Sequence, residues 1–256
     1  MRITIYLLVS LFLFVSPAGA FKQLSSEKAD CRSCHTLTKA EAKEIFTDFQ
    51  GELLSVEQAA IPGFWEIGMK IKNQNVPLYL DYSKSYLISG NIIRLKDKKN
   101  LTEESYRKLN PADLSRIPTD DALLLGNPEA AKKIIVFTDP HCPYCVKLHE
   151  VMKEAVEKRS DLLFQIKLMP IKASSRKVAE TIACSKSMEQ LEAAFAKKEI
   201  PEASCESKVI EQNLAVAKSL GIRSTPTLIL PNGQISPGYK PLVALLEIID
   251  QAVVNN

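Results

Sequence analysis

The stretch IIVFTDPHCPYCVKLHEVM, Ile134 to Met152, decides the fold of this chain. Its β-rich beginning, Ile134–Thr138, predicts a strand. Pro140-His141-Cys142-Pro143 then opens a helix that places Cys145, Leu148 and Met152 on an apolar face and charged residues on the other. A strand that leads directly into an amphipathic helix indicates an α/β region, which we expect to start near Asp121.

The two cysteines of this stretch, Cys142 and Cys145, lie where the predicted helix begins. The amide groups of a first helical turn are unpaired and the helix dipole is positive there, so a thiolate at Cys142 is stabilised. Cys145 lies one turn further along the apolar face and is expected to be buried. Pro143 suits the first helical position because its missing N–H would be unbonded anyway. We therefore predict that Cys142 is the nucleophile and Cys145 the resolving thiol.

Two other interpretations of this pair are a structural disulfide and a metal site. A metal site needs further ligands, and no second C-x-x-C or histidine pair stands at zinc spacing, so we predict no metal. Redox chemistry is favoured by Thr225-Pro226-Thr227, which precedes the predicted strand Leu228–Leu230. A proline at the start of a central strand cannot donate to the sheet and indicates a special turn.

The first residues predict export. Met1-Arg2 gives a positive end, Ile5–Val15 is almost wholly apolar, and Ala18-Gly19-Ala20 is a cleavage site of A-x-A type. This is the layout of a signal peptide at 1–20, cleaved after Ala20. The alternative, a membrane anchor, needs about 20 apolar residues. All 6 cysteines follow the signal, and an even number in an exported chain favours disulfides or redox chemistry.

Residues 21–100 predict a small domain of one helix and an antiparallel sheet. Thr38 and Glu41 form a capping box at the start of a helix that ends before Gly51. Alternating apolar residues then predict three strands, at Trp65–Lys72, Val76–Leu80 and Tyr86–Leu95, the third interrupted by Gly90-Asn91. Such a layer has little core of its own, so we expect it to pair with a second copy of the chain.

The remaining residues predict a linker and a second domain. Residues 101–120 are polar and proline-bearing, and they predict a linker with one short helix. Residues 121–256 alternate strands with helices, with a largely helical insertion over Ser174–Gly221. The net charge is +3 and the charges are interspersed, which argues against nucleic acid as a partner.

Several motifs resemble those of the periplasmic disulfide isomerases of the DsbC/DsbG family, in the same order. They are Phe137-Thr138-Asp139, Cys142-Pro143-Tyr144-Cys145, Lys147-Leu148-His149-Glu150, Gly221 with Thr225-Pro226, Asn232-Gly233 and Pro237-Gly238-Tyr239. The N-terminal sheet and the linker also resemble that family. The resemblance implies an α+β fold: a thioredoxin-like domain with a helical insertion, preceded by a small cystatin-like dimerisation domain of one helix and an antiparallel sheet.

The resemblance also implies site residues and partners. Thr225 and Pro226 would join the catalytic site, with a cis proline that offers main chain to an extended substrate. Cys184 and Cys205 would form a structural disulfide, worth about 3 kcal/mol in the chain-entropy model; two buried free thiols are the alternative. The implied partners are exported proteins with non-native disulfides, a second copy in a V-shaped homodimer, and a DsbD-like membrane reductase.

Cys31-Arg32-Ser33-Cys34-His35 departs from that family. Its pattern is the attachment motif of haem c, with two thiols for the vinyl groups and a histidine for iron. An accessory redox pair and a local disulfide are the other interpretations. The thiol chemistry at Cys142 requires no cofactor in any of them.

The sequence leaves the activity open in several directions. We expect a disulfide isomerase of the periplasm; a reductant of oxidised single cysteines and a dithiol oxidase are the nearest enzymatic alternatives. A holdase that uses the dimer cleft and a haem-c electron carrier are the alternatives from other classes. His141 either assists the thiolate or is a solvent-exposed turn residue.

Overall fold

The structure, a computed structural model, describes residues 34–201, 205 and 207–254. The predicted signal peptide and Cys31 lie outside the described residues. The chain divides into a unit Met1–Thr36 and a unit Leu37–Asn256, and the architecture below is that of the second unit. Among the helices that the structure describes, none has the length and apolarity that a membrane crossing requires.

The N-terminal domain begins with helix α1, Lys39–Ile45. The predicted capping box is confirmed: the Thr38 side chain accepts the amide of Glu41, and the Glu41 side chain accepts the amide of Thr38. The helix ends earlier than predicted, with Phe46 as its C-cap. Phe49 is not helical; its ring lies edge-on to Phe46, at 5.4 Å between centroids, which explains why the apolar spacing continued past the helix end.

Four antiparallel strands form the first sheet in the order β1-β2-β3-β4. They are β1 Glu52–Gln58, β2 Phe64–Ile71, β3 Gln74–Asp81 and β4 Leu87–Ile88. Trp65, Ile67 and Met69 are buried under α1, as their alternation predicts. The prediction missed β1 because its polar and apolar residues do not alternate.

The interruption predicted within the third strand, Tyr86–Leu95, separates two short strands that belong to different sheets. Gly90 and Asn91 divide the predicted strand into β4 and β5 Ile93–Arg94, and β5 pairs with β6 Lys99–Asn100 in a separate two-stranded sheet. Helix α2, Leu101–Leu109, follows as the predicted linker helix. It is attached to the first sheet by a hydrogen bond of 2.6 Å from the Ser105 hydroxyl to the Glu66 carboxylate.

The second domain is built on a five-stranded sheet in the order β11-β10-β8-β9-β7. Its strands are β7 Leu123–Gly126, β8 Lys132–Thr138, β9 Leu162–Leu168, β10 Thr227–Ile229 and β11 Ile235–Pro237. β8 and β9 are parallel, and the other neighbours are antiparallel. The short edge strand β11 was not predicted. The α+β class is confirmed.

Helices cover both faces of this sheet. They are α3 Pro143–Lys158, α4 Ala173–Ser185, α5 Met188–Phe195, α6 Val209–Ser219 and α7 Leu242–Val254. Strand β8 is buried on both sides: Ile134 and Val136 face one core with α3, whereas Ile135 and Phe137 face the other with α6. Because β8 is packed on both faces, the end of this strand, where the chain continues into the cysteine motif, is held firmly in place.

A buried ion pair joins the end of the linker to the centre of the sheet. The side chain of Lys167 on β9 is only 1% exposed and is paired with Asp121. Its ammonium also donates to the carbonyl oxygen of Pro118 at 2.6 Å. Burial lowers the pKa of Lys167, while hydrogen bonding and the charge of Asp121 act in the opposite direction.

Candidate active site

Cys142 is the N-cap residue of α3 and follows β8 by a short loop. Its own amide donates to the Asp139 carbonyl oxygen at 3.0 Å, and its carbonyl oxygen accepts the amides of Cys145 and Val146. The Cys142 side chain makes no capping hydrogen bond, and Pro143 occupies the first turn. The Cys142 sulfur therefore lies at the positive end of the α3 dipole, as the sequence predicts.

Cys142 is partly exposed, whereas Cys145 is buried and only 1% exposed. Both cysteines are present as thiols. Burial raises the pKa of the Cys145 thiol to about 12, although its sulfur accepts the Asp139 amide at 3.4 Å. The two sulfurs therefore differ in access: Cys142 is within reach of solvent, whereas Cys145 is buried and its raised pKa keeps it protonated at neutral pH.

The loop Ser224–Pro226 approaches the cysteines from β10. The Thr225–Pro226 peptide bond is cis. The Cys142 thiol donates to the Thr225 carbonyl oxygen at 3.4 Å, and the Pro226 carbonyl oxygen accepts the Gly238 amide at 2.7 Å. The structure thus brings Thr225 and Pro226, which lie more than eighty residues away in sequence, against the nucleophile.

Asp139 is a site residue to which the sequence analysis gave no role. Its carboxylate is buried and accepts two amides, that of His141 at 2.8 Å and that of Ile171 at 2.7 Å. One carboxylate thus fixes both the cysteine loop and the loop that follows β9. The signal was present in the sequence, since an aspartate at the end of a buried strand and before a turn favours such local hydrogen bonds. Its second partner could not be read from the sequence.

His141 is exposed, next to the nucleophile in sequence. Its backbone is held by Asp139. Tyr144, in the first turn of α3, and Ile171, whose amide donates to Asp139, are exposed large hydrophobic side chains.

Cys184 and Cys205 are joined by a disulfide with a Cα–Cα distance of 6.0 Å. The bond connects the C-terminal end of α4 to the segment before α6, within the helical insertion. It lies on elements other than those that carry Cys142 and Cys145, so the structure keeps the two cysteine pairs separate.

The predicted haem or accessory redox group is only partly described. Cys31 lies outside the described residues, while Cys34 and His35 are exposed. Among the residues that the structure describes, no group of three or more histidine, cysteine, aspartate or glutamate side chains is placed to hold a metal ion.

The burial of Cys145 can be tested by its rate of alkylation. In a Cys142→Ser variant, iodoacetamide should alkylate folded Cys145 about a thousandfold more slowly at pH 8 than the same cysteine in urea, because a pKa of about 12 rather than 9.0 leaves that much less thiolate. The rate should keep rising with pH well above 9. A rate that levels off near pH 9 would show that burial does not control this thiol.

A strand that delivers a cysteine pair to a helix N-terminus, opposite a loop that ends in a proline, defines a thioredoxin-like dithiol domain. Comparison with known proteins supports this assignment to the thioredoxin-like class. The family described as a thioredoxin-like domain matches residues 120–253, and the N-terminal domain of the disulfide bond isomerase protein matches residues 33–103. The chain belongs to the DsbC-type disulfide isomerase family of thioredoxin-like proteins, and the resemblance seen in the sequence is confirmed.

Individual relatives carry names of the same kind. The probable thiol:disulfide interchange protein DsbC of Bordetella avium (strain 197N) is 25% identical over 85% of this chain and 76% of its own length. The thiol:disulfide interchange protein DsbC of Escherichia coli (strain K12) is 30% identical over 48% of this chain and 53% of its own length. A crystal structure of a disulfide interchange protein from Neisseria gonorrhoeae matches with a TM-score of 0.45 and 25% identity, over 53% of this chain and 98% of that chain.

Proposed function

We propose that this protein is a periplasmic disulfide isomerase that reshuffles non-native disulfides in exported proteins through Cys142 and Cys145. The observation that supports this most directly is the contrast between the two sulfurs. Cys142 is partly exposed at the start of α3, and Cys145 is buried with its pKa raised to about 12. The broader activity, thiol–disulfide exchange by a thioredoxin-like enzyme, agrees with the names of its relatives.

In the first step the Cys142 thiolate attacks one sulfur of a substrate disulfide. The substrate S–S bond breaks, a mixed disulfide to Cys142 forms, and the second substrate sulfur leaves as a thiolate that takes a proton from water. The first-turn amides of α3 stabilise the attacking thiolate. The Thr225 main chain, next to the Cys142 sulfur, is positioned to lie alongside an extended substrate.

Two routes then release the substrate. The freed substrate thiolate attacks another disulfide and finally displaces Cys142, which leaves the number of disulfides unchanged. Alternatively Cys145 attacks as a thiolate, Cys142 and Cys145 become a disulfide, and two electrons pass to the substrate. Because the raised pKa of Cys145 keeps it protonated at neutral pH, the second route is slow, and the first route, isomerisation, is favoured.

The proposed enzyme needs its dithiol form. Each reductive turnover leaves a Cys142–Cys145 disulfide, so a two-electron donor is required. We propose a DsbD-like membrane reductase for this role, and export by the predicted signal peptide would bring the chain to the same compartment. The thiol chemistry needs no further cofactor.

The function is tested by incubating the reduced protein with ribonuclease A whose disulfides have been scrambled. We expect recovery of ribonuclease activity without net loss of disulfides, because exchange conserves them. Formation of disulfides in reduced ribonuclease by the oxidised protein, with no recovery of the scrambled form, would identify a dithiol oxidase instead. Full suppression of aggregation with no recovery would identify a holdase.

We also propose that the N-terminal domain forms a homodimer. Large apolar side chains on β4, β5 and the adjoining turns are exposed, namely Tyr86, Ile88, Ile93 and Leu95. Leu95 is 89% exposed, which is costly for a side chain without a covering partner. A second copy of this surface would bury these side chains and supply the core that a small sheet lacks.

The dimer is tested by replacing Ile93 and Leu95 with glutamate. We expect the variant to sediment at half the mass of the original protein, because paired carboxylates would be buried at the interface. Val243→Glu, an exposed apolar position on α7 of the other domain, is the control and should leave the mass unchanged. An unchanged mass for the Ile93 and Leu95 variant would contradict the proposed surface.

For Cys31–His35 two proposals remain, a haem attachment site and a thiol pair. An absorption spectrum of protein purified from the periplasm distinguishes them. A Soret band that remains after unfolding and solvent extraction would establish covalent haem. Its absence, with all 6 cysteines titrating as thiols after reduction and unfolding, would establish the pair.

A further inference from the structure

A groove of about 620 Å³ opens beside the active site. Its walls come from α4 and from the segment that follows α5, and His141 stands at one end. Because His141 directly precedes Cys142, the groove begins where a polypeptide bonded to Cys142 would leave the nucleophile.

The position of the groove relative to Cys142 is fixed by Asp139. One carboxylate oxygen holds the His141 amide and the other holds the Ile171 amide, just before α4 begins. The wall of the groove and the nucleophile are therefore attached to the same buried group.

The groove is rich in positive charge. Lys177 on α4 and Lys197 and Lys198 after α5 line it, and Glu199 is the only carboxylate in the lining that the structure describes. The backbones of Lys197 and Lys198 are held by hydrogen bonds of 2.9 Å to Ala194 and Ala193. Their cationic side chains thus start from fixed points on the groove wall.

The floor of the groove is mainly apolar. Val178 and Ile200 are half-buried there, and Ala194 is fully buried. A small inorganic anion would use only the lysines. In a polypeptide segment with carboxylates among apolar side chains, the carboxylates would pair with the lysines and the apolar side chains would contact the floor. The composition of the groove therefore favours such a segment.

We propose that this groove is a client subsite that binds acidic residues near the substrate cysteine held at Cys142. The inference rests on the proposed function. It predicts a preference among disulfide-bonded polypeptides for those with glutamate or aspartate close to the exchanging cysteine.

The test uses short peptides with a single disulfide that differ only in the residues flanking one cysteine: two glutamates, two glutamines or two lysines. We expect the second-order rate constant for reduction by the fully reduced, intact protein in a single turnover to be about fivefold higher for the glutamate peptide than for the lysine peptide at low salt. The preference should disappear at about 0.5 M salt because the charges are screened.

A Lys197→Glu/Lys198→Glu variant should reverse this order, so that the lysine peptide is reduced faster than the glutamate peptide. The matched control is Lys43→Glu/Lys218→Glu, which makes the same change of net charge at exposed lysines outside the groove lining. If the control reverses the preference as well, the effect belongs to net charge and the inference is overturned. Equal rates for the three peptides with the unmodified protein would also overturn it. If the glutamine peptide is not turned over at all, the proposed function itself fails.

Discussion

Replacing Cys142 by serine should abolish isomerisation of scrambled ribonuclease, with a loss on the order of 10³-fold or more. A serine hydroxyl is not ionised at neutral pH, even at the N-terminus of a helix, and the remaining thiol of the motif is buried and protonated. The second sulfur of the motif therefore cannot take over the attack. The measurement is the initial rate of recovery of ribonuclease activity, with circular dichroism to show that the variant is folded.

Cys145→Ser is the matched variant, since it changes the same atom one helical turn away. It keeps the nucleophile and removes the resolving thiol, so it should accumulate mixed disulfides with client proteins. Mass spectrometry of these adducts identifies the attached cysteine and the clients together. Adducts on Cys34 rather than Cys142 would contradict the assignment of the nucleophile.

Asp121→Ala should lower the free energy of unfolding by about 3–5 kcal/mol at neutral pH. The substitution leaves the Lys167 ammonium buried, with the Pro118 carbonyl oxygen as its remaining hydrogen-bond partner among the described residues. Urea denaturation followed by fluorescence measures the loss.

The double variant Asp121→Ala/Lys167→Met is the control, because removing both charges leaves no uncompensated ion. We expect it to recover most of the lost stability. If it is as unstable as Asp121→Ala, the pair is not the reason for the loss.

The pH dependence of Asp121→Ala follows from Lys167. Burial holds the pKa of Lys167 in the folded protein below the ordinary value of 10.5, and loss of Asp121 lowers it further. Between the lowered pKa and the ordinary one, the unfolded chain binds more protons than the folded one. The free energy of unfolding of the variant should therefore rise with pH across that alkaline range. The difference in stability between the original protein and the variant should become smaller there. A deficit that stays constant up to pH 10 would contradict this account.

Local sequence signals predicted those elements whose residues carry a clear period. The strand that ends at Thr138, the helix that begins at Pro143 and the capping box at Thr38 all follow from such patterns. β1 was missed because its residues do not alternate, and β11 because three residues are too few to show a period; their strand conformation comes from pairing with β2 and β10. The two parts of the strand predicted over Tyr86–Leu95 were not assigned to different sheets, because alternation does not show which strand each part pairs with.

The sequence by itself determined that a cysteine pair stands at the start of a helix, with Cys142 first, because the signals for a helix start are local. Only the tertiary structure decided what surrounds that pair. The burial of Cys145, the approach of the Thr225 carbonyl group, the two amides held by Asp139 and the lysine-lined groove all depend on contacts between residues far apart in the chain. Such contacts are set by how strands and helices pack, which no local pattern records.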